Sequence, residues 1–311
     1  MTAIGFTRPE LLSAVVDAWI ETLKLISPGV VVCDNAPALQ IAAKIRNIPT
    51  IALGTPYLMP PLDGPNLPAY DAHFSPVVDE RQLLESAARI FAGHDKPPPK
   101  SMPSLLATDF RFVFGLPEID PYLAVRRENL YLPLGDLPKL EPIPALPRYF
   151  VYLGADEPVS KKLFQAIADS GLPADIYMRD DSGMLARFLR RRGFNVFADP
   201  PKLDDVLPKV THVISAGGAH VTQAAMLAGR HHIMLPRHEE SWSNARMATR
   251  LKVASVIGQN EEDKAIRGKI TSTVADHSLL HNAIRLATEL AQRQNRSASS
   301  LLTGAIKRYC S

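Results

Sequence analysis

THVISAGGAHVTQAAMLAGRHHIMLPRHEESWSNA, residues 211–245, decides how the rest of the chain is read. It reads as a short strand, a Gly-Gly turn, a helix, a second strand ending in Pro236, an acidic loop and a new helix near Asn244. A strand that runs into a glycine turn at a helix start makes an anion site. The first-turn N–H groups have no helical partners, and the helix dipole adds positive potential at the same end. Gly217 and Gly218 carry no Cβ, so a phosphate can approach their backbone closely.

Working outward, the 311 residues suffice for one large or two medium domains, and 46% hydrophobic residues suit a globular core. A net charge of +3 argues against a nucleic-acid partner. The densest basic cluster, RFLRRRGF (188–195), reads as the solvated end of a helix before Gly193. Cys33 and Cys310 offer neither a disulfide framework nor metal spacing. No run of about 18 apolar residues and no signal-peptide pattern occurs, so no integral membrane segment is expected and the cytoplasm is the expected location.

The apolar positions Leu11, Leu12, Val15, Val16, Trp19, Ile20 and Leu23 recur at helical spacing and predict a helix over 9–26. A strand at 30–34, a helix at 36–46 and a strand at 48–54 follow. This β-α-β rhythm predicts a parallel sheet. Residues 56–70 are too rich in proline for a regular element. A helix is expected at 80–94, a loop at 96–103 and strands within 110–122 and 129–135. The prolines of LPKLEPIPALP (137–147) suit an extended linker. A second α/β series then begins at 148 and ends in a helical tail over 261–309. The expected division is an N-terminal domain at 1–136, the linker, and a C-terminal domain with helical tail at 148–311.

The pattern of 211–245 resembles the donor region of GT-B glycosyltransferases, in particular bacterial relatives of UDP-glucuronosyltransferases and macrolide glycosyltransferases. Those enzymes carry roughly H-G-G-x-G-T-x-x-E-A-L-x-x-G-x-P, then P-x-x-x-D-Q-x-x-N-A. Gly217 and Gly218 match the glycine pair, and Ala225 and Met226 the Ala-Leu step. Gly229, Pro236, Asn244 and Ala245 match the later positions without a gap. More loosely, 33–61 is similar to the later part of the family's acceptor domain. The resemblance implies an α/β, GT-B-like fold of two facing Rossmann-like domains, the N-terminal one incomplete. It implies transfer of a hexose from a UDP- or TDP-type sugar to a small hydroxylated acceptor, with no cofactor and no metal. The nucleotide sugar would meet Gly217, Gly218, Ala219, His220, Val221, Glu240, Ser241 and Asn244. The acceptor would meet Asp34, Asn35, Gly54 and Tyr57.

Departures from the pattern define a second expectation. Ala216 replaces the family's first histidine, His220 its third glycine and Val221 its threonine. The ribose-holding glutamate falls at Ala224, and the Asp-Gln pair at Glu240 and Ser241. The resemblance implies that the sequence starts near the middle of the family's first domain, and no histidine precedes His73, so no catalytic base is assigned. The alternative is therefore a catalytically inactive nucleotide-sugar-binding or auxiliary protein. Missing first strands would leave a sheet edge that a homodimer or another partner covers. His231-His232 are adjacent on a strand and face opposite sides, and His238 with Glu239-Glu240 lacks a third ligand at a useful spacing.

Overall fold

The computed structural model describes residues 6–70, 78–127, 131–132, 140, 142–154, 160–179, 183–293 and 298–309. The chain divides into two compact units, Met1–Leu132 with Arg296–Ser311, and Pro133–Asn295.

The first unit runs α1 (Pro9–Ile26), β1 (Val31–Asp34), α2 (Pro37–Ile45), β2 (Thr50–Gly54), α3 (Glu80–Gly93), α4 (Met102–Leu106), β3 (Phe110–Phe114) and β4 (Tyr131–Leu132). Its sheet has the order β1-β2-β3-β4, and every pairing is parallel. The apolar stripe of α1 behaves as its spacing predicts: Leu12, Val16, Ile20 and Leu23 are buried, against α2 and α3 on one face of the sheet. Leu11, Val15 and Trp19 stay exposed on the other side of the same helix, and β1 lies at the sheet edge. Cys33 is a free thiol on β1 whose pKa burial pushes up to about 11. Residues 96–103, expected to be a loop, end in α4, because Ser101 and Ser104 cap its start reciprocally.

The second unit runs β5 (Tyr149–Gly154), α5 (Ser160–Asp169), β6 (Ala174–Arg179), α6 (Met184–Arg191), β7 (Asn195–Val196), α7 (Leu203–Val206), β8 (His212–Ser215), α8 (Ala219–Leu227), β9 (His231–Met234), α9 (Glu239–Arg250), β10 (Ala254–Val256), α10 (Asp263–Ala275) and α11 (His277–Ala291). Its six strands pair in the order β10-β9-β8-β5-β6-β7, again all parallel. Alternate residues feed two cores. Val151 and Ile214 pack with α5 and α10 on one face, while Phe150 and Val213 pack with α8 on the other. Strands covered on both faces explain why these segments read as apolar runs without alternation.

The last helix, α12 (Ala298–Lys307), belongs with the first unit, although the sequence placed the whole tail with the second. Its Ala298, Leu301, Leu302, Ala305 and Ile306 repeat at helical spacing and cover Ile51 and Phe112 of the first sheet. Phe110 also meets the Tyr309 ring edge-on, with 6.2 Å between centroids. Periodicity fixes which face of a helix is apolar, not which sheet it covers. Among the described residues, no helix is long and apolar enough to cross a membrane.

Candidate functional site

β8 is buried along its whole length and delivers the chain into the turn at Gly217 and Gly218. Gly217 has φ +80°, and a Cβ there would lie 2.6 Å from Met234 Cε, so glycine is required by conformation and by space. The turn is held from behind. Gly217 N–H donates to Ser215 Oγ at 3.0 Å, and Asn244 Nδ2 donates to the Gly217 carbonyl at 3.0 Å. Ser215 Oγ also shares a 2.8 Å hydrogen bond with His232 Nε2. Burial pushes the pKa of His232 down to about 3, so the ring stays neutral in this network.

Gly218 differs from its neighbour. It is exposed, it is the N-cap of α8 at φ −62° and ψ 150°, and no atom lies within 4 Å of a Cβ placed on it. No side chain caps this helix. Thr222 N–H donates to the Gly218 carbonyl at 3.0 Å, which leaves the N–H groups of Ala219, His220 and Val221 without helical acceptors. His220 is exposed on this first turn, Ala219 is buried, and Val221 packs partly into the apolar core.

The facing positions are corrected by the structure. The expected acidic loop is the first turn of α9, which begins at Glu239 rather than near Asn244. His238 and Ser241 form a capping box, and Glu239 and Glu240 sit where the helix dipole favours negative charge. Ser241 is fully buried: its Oγ accepts from the N–H groups of Arg237 and His238 and donates to the His238 carbonyl. Asn244 is buried as well, on the Gly217 carbonyl. Ser241 therefore caps α9, and Asn244 braces the Gly217 carbonyl. Glu240 is half-buried and Trp242 is exposed on the same helix. His231 and His232 point to opposite sides, to Ser255 and Ser215 respectively. Among the described residues, no group of three or more His, Cys, Asp or Glu stands close enough to hold a metal ion.

The first unit holds a cavity of about 410 Å3 at the carboxyl ends of β1 and β2. Asn35, in the left-handed region at φ 43°, and Tyr57 line it. Asp34 is exposed at the end of β1, and Gly54 is buried against Met59; neither lines the cavity. The proline-rich wall is clamped by residues that sequence reading missed. Arg126 Nη2 donates to the Met59 carbonyl at 2.7 Å, and Arg111 Nη2 donates to the Pro60 carbonyl at 2.8 Å. Arg126 is in turn paired with the fully buried Asp120, which also accepts from the Tyr131 hydroxyl and the Tyr122 N–H. Burial and the Asp120 carboxylate both raise the pKa of Tyr131. These partners come from β3, β4 and the segment between them, far along the chain from residues 56–60, so no local pattern announces them. His73, the first histidine, lies outside the described residues, and His94 bonds Asp17 at 2.9 Å away from the cavity lining.

Two parallel α/β units, one with a glycine turn at a strand-to-helix junction, define the class: the chain has the GT-B fold of glycosyltransferases. Among solved structures, the glycotransferase of kitacinnamycin superposes with a TM-score of 0.68 at 15% identity, covering 96% of this chain and 83% of that one. Spinosyn rhamnosyltransferase SpnG gives 0.64 at 13% identity, covering 96% and 81%. Glycosyltransferase VinC, solved in complex with DTDP, gives 0.63 at 15% identity, covering 96% and 79%. No protein-family model and no curated protein sequence matches the chain.

Proposed function

We propose that the chain takes a nucleotide-diphosphate sugar of the UDP or TDP type on the turn after β8 and transfers its hexose to a small hydroxylated acceptor in the first-unit cavity. One observation carries this: α8 begins uncapped behind an open, exposed Gly218. Unsatisfied N–H groups and the helix dipole together stabilise a diphosphate, and more so the charge that grows on it as the sugar leaves. His220 on the same turn adds a donor. Spinosyn rhamnosyltransferase SpnG and glycosyltransferase SsfS6 have both been solved complexed with thymidine diphosphate, which supports TDP as the first ligand to try. A second copy covering the β1 edge is part of the same reading, supported by the exposed Leu11, Val15 and Trp19.

A second reading, binding without turnover, is favoured by Ala224. It is buried in an apolar cluster with Phe150, Val206 and Leu207 and offers a ribose no acceptor. Calorimetric titration of TDP and UDP separates these ideas. On the binding-only reading, TDP binds at one site with Kd weaker than about 10 μM, and His220→Ala weakens it by roughly tenfold. Tighter binding together with sugar transfer would reject the binding-only reading. An unchanged affinity in His220→Ala would remove His220 from the site, and no binding at millimolar TDP would reject both.

A further inference from the structure

The arginine-rich end of α6 takes no part in either site described above. Helical spacing sorts its residues by face. Leu185 and Leu189 pack into the core of the second unit, while Arg187, Arg191 and Arg192 are exposed. Phe188 fits neither group: it stays 46% exposed, although a ring of that size gains from burial. The Arg192 guanidinium lies over this ring, 5.1 Å from its centroid.

Between α5 and α6, beside that ring, lies a hollow of about 320 Å3, within the size range of small-molecule sites. Phe164, Leu185, Phe188, Leu189 and Phe194 give it apolar walls. Among its described lining residues the charged ones are Lys161 and Arg192, both exposed, and neither makes an ion pair. Gln165 also lines it and donates from Nε2 to Asp169 at 2.7 Å; Asp169 is paired with Arg267 and stands outside the lining. A hollow of this size takes a chain or a ring system, but not a peptide helix, which is about 10 Å across with its side chains. A small inorganic anion would leave Phe188 in water, and a hydrocarbon would leave both cations unmatched. A molecule with an apolar body and one negative end satisfies both.

We infer that this hollow is a binding site for an amphiphilic monoanion, a medium-chain carboxylate. Its chain lies against Phe164, Phe188 and Phe194, and its carboxylate accepts from Lys161 Nζ and the Arg192 guanidinium at the exposed rim. At the rim the carboxylate keeps contact with water, so the chain is desolvated and the charge is not. None of the lining residues belongs to the β8–α8 turn or to the first-unit cavity, so the site is separate from the proposed transfer.

The test is calorimetric titration of the full chain with hexanoate, octanoate and decanoate, kept below micelle formation. Each added methylene should tighten binding by roughly threefold until the hollow is full. At low salt 1-octanol should bind about fivefold more weakly than octanoate, and the gap should close as salt is raised. Changing Lys161→Gln and Arg192→Gln together should bring the two probes within about twofold. Ala168→Leu fills the hollow from α5 with a good helix former and should weaken decanoate by about tenfold or more. Phe188→Ser removes an exposed wall and should weaken it by about fivefold with Tm kept. Decanoate binding that survives both Ala168→Leu and Phe188→Ser overturns the inference, and so does an octanoate preference that survives loss of both cations. Displacement of decanoate by TDP would place the acid at the donor turn and overturn it as well. Binding to phosphatidylserine vesicles without binding of monomeric decanoate would make this face a membrane-docking surface instead.

Discussion

The turn after β8 and the cavity after β2 occupy equivalent places, at the carboxyl ends of parallel strands, yet they are built differently. At the turn, buried side chains grip the backbone from behind and leave a bare face of N–H groups. At the cavity, two arginines grip loop carbonyls, Arg111 from within the lining, and leave a largely apolar hollow. The first arrangement suits an anion, since dipoles act without any charged side chain. The second suits an uncharged apolar molecule. In both, the residues that shape the site are polar and buried, and the surfaces left for a ligand are plain.

The largest way to separate the two regions is acid. Burial pushes the pKa of His212 down to about 4; burial, then the neighbouring His212 and His232, push His231 down to about 3; burial alone takes His232 down to about 3. In the unfolded chain these rings titrate near 6.5. Above that value neither state is protonated, and stability is full. As pH falls below it, only the unfolded chain takes up protons. The second unit should then lose stability by up to about 4 kcal/mol per pH unit, with all three rings counted, until the folded values are approached. The protein has two tryptophans, Trp19 in the first unit and Trp242 in the second. Single-tryptophan variants should show the Trp242 signal unfolding at the higher pH. A Trp242 signal that stays native below pH 4 would show that these histidines are not held neutral.

Next in size is the clamp. Arg126→Met strands the buried Asp120 carboxylate and should cost about 3–5 kcal/mol in urea denaturation followed at Trp19. Adding Asp120→Leu removes the stranded charge and should recover part of that loss. A cost below about 1 kcal/mol for Arg126→Met would mean the pair is not what holds the cavity wall. Smaller again is the contrast within the glycine pair. Gly217→Ala forces a left-handed alanine against Met234 and should cost roughly 1–2 kcal/mol. Gly218→Ala meets no neighbour and should cost less, about 0.5 kcal/mol, since glycine is the better N-cap. Equal costs would refute the division between a structural Gly217 and an open Gly218.

Much of this was legible in the sequence where it repeats or where it is local. The 3.6-residue stripe of α1 and the apolar runs of β1, β5 and β8 are periodic, and the spacing from Gly217 to Asn244 carries the fold. What stayed hidden depends on distance in the chain. Arg126, paired with Asp120, donates to carbonyls 67 and 70 positions away, at Met59 and Pro56. The start of α9 was misplaced because two glutamates read as a loop, while a histidine cap and a buried serine make them a helix turn. In that turn Ser241 serves as a cap, and Asn244 braces the Gly217 carbonyl.

The central claim is that the open face of Gly218 at the start of α8 receives a diphosphate. Gly218→Asp tests it most directly, by calorimetric titration of TDP alongside thermal unfolding. The backbone of Gly218 already has N-cap geometry with free space around it. An aspartate there should cap α8 and leave Tm unchanged or slightly raised, while its carboxylate occupies the N–H groups and repels the diphosphate. The account predicts a stable variant that has lost TDP binding by at least about a hundredfold. A variant that folds as well and binds TDP as the unmodified protein does would contradict it.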